Sequence, residues 1–186
     1  MGLSAGDSKE EPLRRVLQVL AETSTAYALI GGIAIQLYNE DPRTTLDIDI
    51  AVPTFGDIPA QALIAAGFEH ETRYPHSDNW RAPGVGPRPQ RVAVTFSAED
   101  VGIAAAVANA HLHHIDGQAL RVARPADLVV LKLAAAEEPT RRLRKRRQDL
   151  LDILMLVEDF AEAASAVADL SARLRALQTE LMRIAE

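Results

Sequence analysis

The chain has 186 residues, 48% of them hydrophobic, which suits one globular domain with at most a small helical appendage. The absence of cysteine excludes disulfide bonds and thiolate metal sites, and no apolar run reaches the roughly 18–20 residues of a membrane span. The net charge of −6 excludes nucleic-acid binding by overall charge. We therefore expect a cytoplasmic protein without a membrane partner.

Helix and strand patterns alternate through the first third of the chain. Residues 1–10 are polar and predict a disordered lead-in. Leu13, Val16, Leu17 and Leu20 recur at helical spacing and predict a helix over about 11–23. The elements predicted next are a strand over AYALI (26–30), a helix over IAIQLY (33–38), a strand over TTLDIDIAV (44–52) and a helix over DIPAQALIAAGF (57–68).

The middle of the chain is punctuated by proline and glycine. Residues 73–90 contain four prolines and two glycines, which predicts a long loop or lid with little regular structure. The elements predicted after it are a strand over 91–96, a helix over 98–110, a hairpin over 112–122 with Asp116-Gly117 as its turn, and a helix that starts near Pro125 and carries Lys132.

From about residue 140 onward the pattern is helical. Apolar residues from Phe160 to Ile184 alternate spacings of three and four, like a heptad seam. This seam fits either a helix packed on its own domain or a homodimer contact through the C-terminal helix. The organisation predicted is a lead-in (1–10), an α/β domain (11–138) and a C-terminal helical region packed on it (139–186).

Two aspartates lie inside an apolar strand, which raises the question of what stabilises them. In LDIDIAV, Asp47 and Asp49 share one face of the strand, while Leu46, Ile48 and Ile50 face the core. Neighbouring carboxylates repel each other unless a cation lies between them. Mg²⁺, or the similar ion Mn²⁺, prefers oxygen ligands and fits such a pair.

Upstream, Gly31 and Gly32 separate a strand from a helix. A glycine turn at a helix start presents free backbone N–H groups, which suit a phosphate. Two glycines alone are a weak signal, but their position shortly before the Asp-Ile-Asp strand is a much stronger one.

With these residues together, IGGIAIQLYNEDPRTTLDIDIAV resembles the nucleotidyltransferase signature of the polymerase β-like superfamily. VARPADLVVLKLAAA followed by RRQDLLDILML is similar to the AbiEii/AbiGii-toxin type within it. The resemblance covers roughly residues 26–157. It implies an α/β (α+β) fold, with a small mixed sheet flanked by helices and a C-terminal helical region.

The resemblance also implies roles for particular residues. Asp47 and Asp49 would be the catalytic pair and ligate the metal ion, and Gly31 and Gly32 would cradle the phosphates of an NTP such as ATP. Arg43 and Thr44, in an R-x-T-x-D-x-D arrangement, would position the nucleotide, and Lys132 would contact the triphosphate. Asp149 and Asp152, with Arg147 beside them, would belong to the pocket or to helix packing.

One feature of the family pattern is missing. Members of this type carry a third carboxylate on a neighbouring strand, expected here near Ala93, and alanine neither binds metal nor accepts a proton. Thr95 shares the face of Ala93 but is a poor base, and Glu99 and Asp100 follow the strand as candidate substitutes. A missing base would cost about 10²–10⁴ in rate.

The leading hypothesis is therefore an enzyme that moves an NMP from an NTP to a hydroxyl of an RNA 3′ end, a protein or a small molecule. Such an enzyme would be the toxin of a toxin–antitoxin or phage-defence system, with a cognate antitoxin as partner. The alternative is a catalytically silent module of the same fold that binds nucleotide or a partner protein.

A second charged segment stands out because the chain as a whole is acidic. RRLRKRR (141–147) has six basic residues in seven. It fits either a solvated helix balanced by nearby acidic residues, or a patch for RNA phosphates or an acidic partner.

Overall fold

The computed structural model describes residues 9–39, 45, 47–84, 86–87, 90–115 and 117–183. The chain forms two compact units, residues 1–123 and residues 124–186. We predicted the domain boundary at 138/139, where the sequence pattern becomes entirely helical. The two compact units instead divide at 123/124, because the helix Pro125–Glu137 belongs to the second unit. Within the described ranges, no helix is long and apolar enough to span a membrane.

The first unit is built on a seven-stranded mixed sheet, so the predicted α/β class is confirmed. Along the sheet the strands run in the order β3-β4-β5-β2-β1-β7-β6. Their bounds are β1 Ala28–Ile30, β2 Ile48–Ala51, β3 Glu69–Tyr74, β4 Ser77–Arg81, β5 Ala93–Ser97, β6 His111–Ile115 and β7 Gln118–Val122. β2 pairs antiparallel with β1 and parallel with β5, which places it at the centre of the sheet.

Helices connect the strands of this unit. They are α1 Glu10–Glu22, α2 Gly31–Tyr38, α3 Ala60–Ala65 and α4 Val101–Ala108. The leucines and valine that predicted the first helix are buried, as expected for an amphipathic helix. Gly67 follows α3 with φ +88°, the left-handed conformation predicted for a glycine that ends a helix.

The long loop predicted over residues 73–90 is wrong for its first part. β3 and β4 form an antiparallel hairpin there, with a turn at residues 75–76. Strand structure is absent from the described residues between Ala82 and Gln90. β3 is an edge strand whose six residues are all exposed, so it has no apolar alternation to identify it. Trp80 is buried in β4 with its ring edge-on to His70, and it therefore anchors the hairpin.

The second unit is entirely helical in its described residues. It contains α5 Pro125–Glu137, α6 Leu143–Asp159, the short α7 Ala161–Ala164 and α8 Leu170–Arg183. The heptad-like seam does not form one helix, because it begins at Phe160, after the end of α6, and residues 165–169 separate α7 from α8. The leucines of α8 (Leu170, Leu174, Leu177 and Leu181) are buried within the chain itself, which favours the first of the two interpretations of the seam.

Candidate functional site

The glycine turn and the aspartate strand meet at one place in the first unit. β1 ends at Ile30 and α2 begins at the next residue, Gly31, whose φ is +63°. A Cβ atom on Gly31 would lie 2.1 Å from Oδ2 of Asp49, and one on Gly32 would lie 2.6 Å from Oγ1 of Thr45. Both positions therefore require glycine for the strand's polar side chains to approach the turn.

The register of the central strands explains this contact. Ile30, the last residue of β1, lies directly opposite Asp49 on β2. Ile48 and Ile50 are fully buried, whereas Asp49 is half-buried and Asp47 is exposed just before the strand begins. This alternation agrees with the predicted placement of both carboxylates on the face opposite the core.

β5, which pairs in parallel with β2, carries no acidic residue. Thr95 lies directly opposite Asp49 on β5, and Val94 lies opposite Ile48. Ala93 begins β5 two residues before Thr95 and therefore lies on the same face of that strand. At positions 93 and 95, this face presents a methyl group and a hydroxyl group.

The two acids that follow β5 do not replace the missing carboxylate. Because β2 and β5 are parallel, Glu99 and Asp100 lie beyond the opposite end of the sheet from Asp47. At about 3.3 Å per residue, Glu99 is about 13 Å along the chain from Thr95. The side chain of Asp100 instead accepts a hydrogen bond of 2.8 Å from the backbone N–H of Gly102 and caps α4.

Thr45 is the residue that the sequence interpretation missed. In R-x-T-x-D-x-D the threonine position is Thr45, and its side chain lies against Gly32. The alternation that places Asp47 and Asp49 on one face also extends back to Thr45, so this signal was present in the sequence. Arg43 and Thr44 lie outside the described residues.

Lys132 belongs to the second unit, where it joins α5 to α6. Its ammonium group lies 2.8 Å from a carboxylate oxygen of Asp149 and 2.7 Å from one of Asp152. Both aspartates are nearly inaccessible, with exposures of 2% and 3%. Arg141 donates a further hydrogen bond of 2.8 Å to Asp149, and the side-chain amide of Gln148 donates one of 3.0 Å to Asp152. Lys132 and the exposed Arg141 balance the charges of the two aspartates, which makes the burial of these carboxylates tolerable.

The donor set of the first unit fits a hard divalent cation. Carboxylate oxygens are the ligands that Mg²⁺ and Mn²⁺ prefer, and Gly31 leaves the space that the Asp49 carboxylate occupies. Asp47 and Asp49 could provide two such ligands. Among the described residues, no group of three or more His, Cys, Asp or Glu side chains is arranged to bind a metal ion.

Comparison with protein families gives a match over most of the chain. The family model described as "Nucleotidyl transferase AbiEii toxin, Type IV TA system" matches residues 15–185. No curated protein sequence matches the chain.

Several solved structures share the fold. A nucleotidyltransferase-like antigenic protein from Paracoccidioides brasiliensis is 20% identical, with TM-score 0.59, over 98% of this chain and 95% of that one. A nucleotidyltransferase from H. pylori is 18% identical, with TM-score 0.65, over 97% and 79%. The lincosamide antibiotic adenylyltransferase LnuA is 13% identical, with TM-score 0.54, over 80% and 96%.

Proposed function

The chain belongs to the nucleotidyl transferase AbiEii toxin family, and we propose that it transfers an NMP from an NTP to a hydroxyl acceptor in a metal-dependent reaction. One observation on this chain's own residues supports the proposal most directly. The Gly31 turn has no room for a Cβ atom because the Asp49 carboxylate occupies that space. A phosphate-binding turn and a metal-binding carboxylate therefore lie side by side.

In the proposed reaction, the acceptor oxygen attacks the α-phosphorus of the NTP. A new P–O bond forms, the bond from the α-phosphorus to the bridging oxygen breaks, and pyrophosphate leaves. Asp47 and Asp49 would hold Mg²⁺ or Mn²⁺, which offsets charge on the phosphates. Because Ala93 and Thr95 provide no strong base, the proton of the acceptor hydroxyl leaves to water, which predicts slow transfer.

The backbone N–H groups of Gly31 and Gly32 are assigned to the NTP phosphates. Arg43 and Thr44 remain assigned to nucleotide positioning, and Thr45 is added because its hydroxyl lies at the same turn. The expected contact of Lys132 with the triphosphate is not carried into this proposal, because its ammonium already lies against two buried aspartates of the second unit, Asp149 and Asp152.

A second candidate function rests on the register of β5. Thr95 lies opposite Asp49, Ala93 lies on the same face of β5 two residues earlier, and neither can act as a strong base. A catalytically silent module that binds Mg²⁺-NTP, or a partner protein, would need no base. Both candidates fit a cytoplasmic protein of a toxin–antitoxin system, in which a cognate antitoxin is the expected protein partner.

Transfer of label from each of four α-³²P-labelled NTPs tests the choice between them. The wild type and Asp47→Asn/Asp49→Asn would be incubated with Mg²⁺ and, separately, with total RNA, with total protein and with small hydroxyl compounds. Transfer by the wild type that is lost in the double variant supports the enzyme. NTP binding that requires Mg²⁺, without transfer to any acceptor, supports the silent module. Failure of the wild type to bind any NTP would contradict the enzyme and the nucleotide-binding module, and would leave only the module that binds a partner protein.

A further inference from the structure

One face of the sheet in the first unit carries a group of half-buried polar side chains on the two strands next to β2. On β5 these residues are Thr95 and Ser97, and on β4 they are Ser77 and Asn79. The intervening residues of both strands point to the opposite face and are buried. The two strands therefore separate the core from an accessible surface, called here the polar face, which consists of these four side chains.

The pairing of the strands aligns the polar face with Asp49. Thr95 lies directly opposite Asp49 on β5, and Asn79 lies directly opposite Thr95 on β4. Residues paired in this way project to the same side of a sheet. Neighbouring strands are about 4.8 Å apart, so the backbone of Asn79 is about 10 Å from that of Asp49. A small molecule that lies beside the Asp49 carboxylate on this face therefore lies over Thr95 and Asn79.

The polar groups of this face have no partners within the chain. The side chains of Ser77, Asn79, Thr95 and Ser97 make no hydrogen bond in the part of the chain that the structure describes. None of their polar atoms is buried without a partner, so all four groups are open to solvent. Each hydroxyl both donates and accepts a hydrogen bond, and the asparagine amide has two donors and an acceptor. The polar face thus offers several unused donors and acceptors to a ligand.

We propose that the polar face binds the acceptor of the nucleotide, and that this acceptor is an uncharged small molecule with neighbouring hydroxyl groups, such as a sugar. Asn79 and Thr95 are the acceptor-binding residues closest to Asp49. The inference rests on the proposed function, because it names the acceptor class of that reaction. One acceptor hydroxyl forms the new bond to the α-phosphorus, pyrophosphate leaves, and the hydroxyl proton passes to water.

The charges around the polar face favour an uncharged acceptor. Arg81, two residues after Asn79 on the same side of β4, donates to Glu71 at 3.0 Å and to the carbonyl of Arg91 at 3.2 Å. Arg91 in turn pairs with Glu69 at 2.8 Å. Both arginines near this face are therefore matched by a carboxylate. A polyanion such as RNA gains its affinity from cations that are free to contact its phosphates, and the four residues of the polar face include none.

The spacing of the four side chains suits a compact compound with several hydroxyl groups. Residues two apart on a strand are about 6.6 Å apart, and neighbouring strands are about 4.8 Å apart, so the four positions outline a rectangle of these dimensions. Neighbouring hydroxyls of one small molecule can therefore bond to several of them together. Tyr74, directly opposite Ser77 on β3, is 56% exposed, and its ring adds an apolar surface at one corner.

A protein acceptor fits the polar face less well. Protein interfaces are centred on large apolar or aromatic anchors. Among the described residues of β4 and β5, no large hydrophobic side chain is exposed, and Tyr74 is the one such residue on β3. The surface beside Asp49 is therefore polar and uncharged, which matches the hydroxyl groups of a small molecule.

The first test separates acceptors by charge and size. The wild type would be incubated with Mg²⁺, each of four α-³²P-labelled NTPs and one of three pools from a cell extract. The pools are small molecules that pass both anion and cation exchangers, small molecules that either exchanger retains, and macromolecules, including RNA and protein. We expect label to enter the first pool. Label only in the second or third pool would overturn this inference and uphold nucleotide transfer. Transfer to none of the pools would contradict the enzyme as well.

The second test assigns the acceptor to the polar face. With the acceptor purified from the first pool, Asn79→Ala and Thr95→Val are each expected to raise its KM at least about 10-fold, because each removes a hydrogen bond to a substrate hydroxyl. Calorimetry should show unchanged binding of the NTP with Mg²⁺, and thermal unfolding should confirm that the variants fold. Asn109→Ala is the control, since this asparagine is exposed at the end of α4, away from β4 and β5.

The split between the two substrates distinguishes an acceptor site from a structural role. An acceptor KM that is unchanged in both variants would overturn the assignment of the polar face, although nucleotide transfer itself would stand. Equal weakening of NTP and acceptor binding, or an equal effect of Asn109→Ala, would also overturn it, because the loss would then come from the fold and not from a contact with the acceptor.

Discussion

Two pairs of aspartates, one in each unit, have opposite environments. Asp47 and Asp49 are two residues apart at a strand, one exposed and one half-buried, beside a glycine turn. Asp149 and Asp152 are three residues apart on a helix, and both are buried and bonded to Lys132. Residue type alone therefore does not distinguish a site from a structural ion pair. The distinction comes from burial and from the cations within hydrogen-bonding distance.

The comparison predicts that the first pair controls activity and the second controls stability. Asp47→Asn/Asp49→Asn should lower nucleotide transfer at least about 10³-fold, because neutral amides bind a divalent cation poorly and charge stabilisation of the transition state is lost. Unfolding should be almost unchanged, because the pair is not part of the core. Transfer rates test the loss of activity, and urea denaturation tests the unchanged stability. A large loss of stability in the double variant would contradict the prediction.

In the second unit, Lys132→Ala should lower the free energy of unfolding by about 3–5 kcal/mol, because it removes a cation shared by two buried carboxylates. Lys145→Ala is the matched control, since this lysine is exposed and lies on the neighbouring helix. Urea unfolding of both variants measures the difference. Partial recovery of stability in Lys132→Ala/Asp152→Asn would show that the loss comes from a carboxylate left without its cation.

Substitution of Gly31 tests whether activity depends on the contact between the glycine turn and Asp49. Gly31→Ala should reduce transfer by about 10²-fold, because its Cβ would displace the carboxylate of Asp49. Strain at the positive φ should also cost about 1–2 kcal/mol of stability. Gly117→Ala is a control with a positive φ and nothing within 4 Å of the added Cβ, so it should share the strain but not the loss of activity.

The smallest expected effect is a dependence of stability on pH. Burial and the neighbouring His111 hold the pKa of His113 below its ordinary value, and Tyr38 lies edge-on to its ring. The unfolded chain therefore binds a proton at this position at higher pH than the folded chain does. Stability from this group should be complete above about pH 6.5 and decline as the pH falls below it. Thermal unfolding of wild type and His113→Phe at pH 7.5 and 5.5 should show a weaker pH dependence in the variant.

The sequence predicted the centre of the sheet and the β6–β7 edge better than the β3–β4 edge. β1, β2 and β5 have strong apolar patterns because each lies between two other strands and packs against the core. Each was predicted close to its observed position. β3 is exposed at every residue and β4 has only two buried side chains, Asp78 and Trp80. Asp78 is a buried carboxylate bonded to His70 and Arg73. One of the two buried residues of β4 is therefore charged, and the strand lacks an apolar pattern.

The candidate site was predictable where contacts follow from strand alternation. The site formed by Asp49 and the glycine turn was expected from the family resemblance that the Gly-Gly and Asp-Ile-Asp motifs carry. The position of Thr45 follows from the same alternation. The exclusion of Glu99 and Asp100 as the third carboxylate does not follow from it. That exclusion depends on the parallel pairing of β2 with β5, which brings together residues about 45 positions apart and cannot be read from a local pattern.

Calorimetric titration of ATP, GTP, CTP and UTP with and without Mg²⁺ is the most direct test of the central claim, that Asp47 and Asp49 form the nucleotide and metal site. The wild type is expected to bind an NTP only with Mg²⁺, and Asp47→Asn/Asp49→Asn is expected to lose this binding while unfolding at the same urea concentration. Binding by the folded double variant that is as tight as in the wild type, with the same dependence on Mg²⁺, would contradict the account.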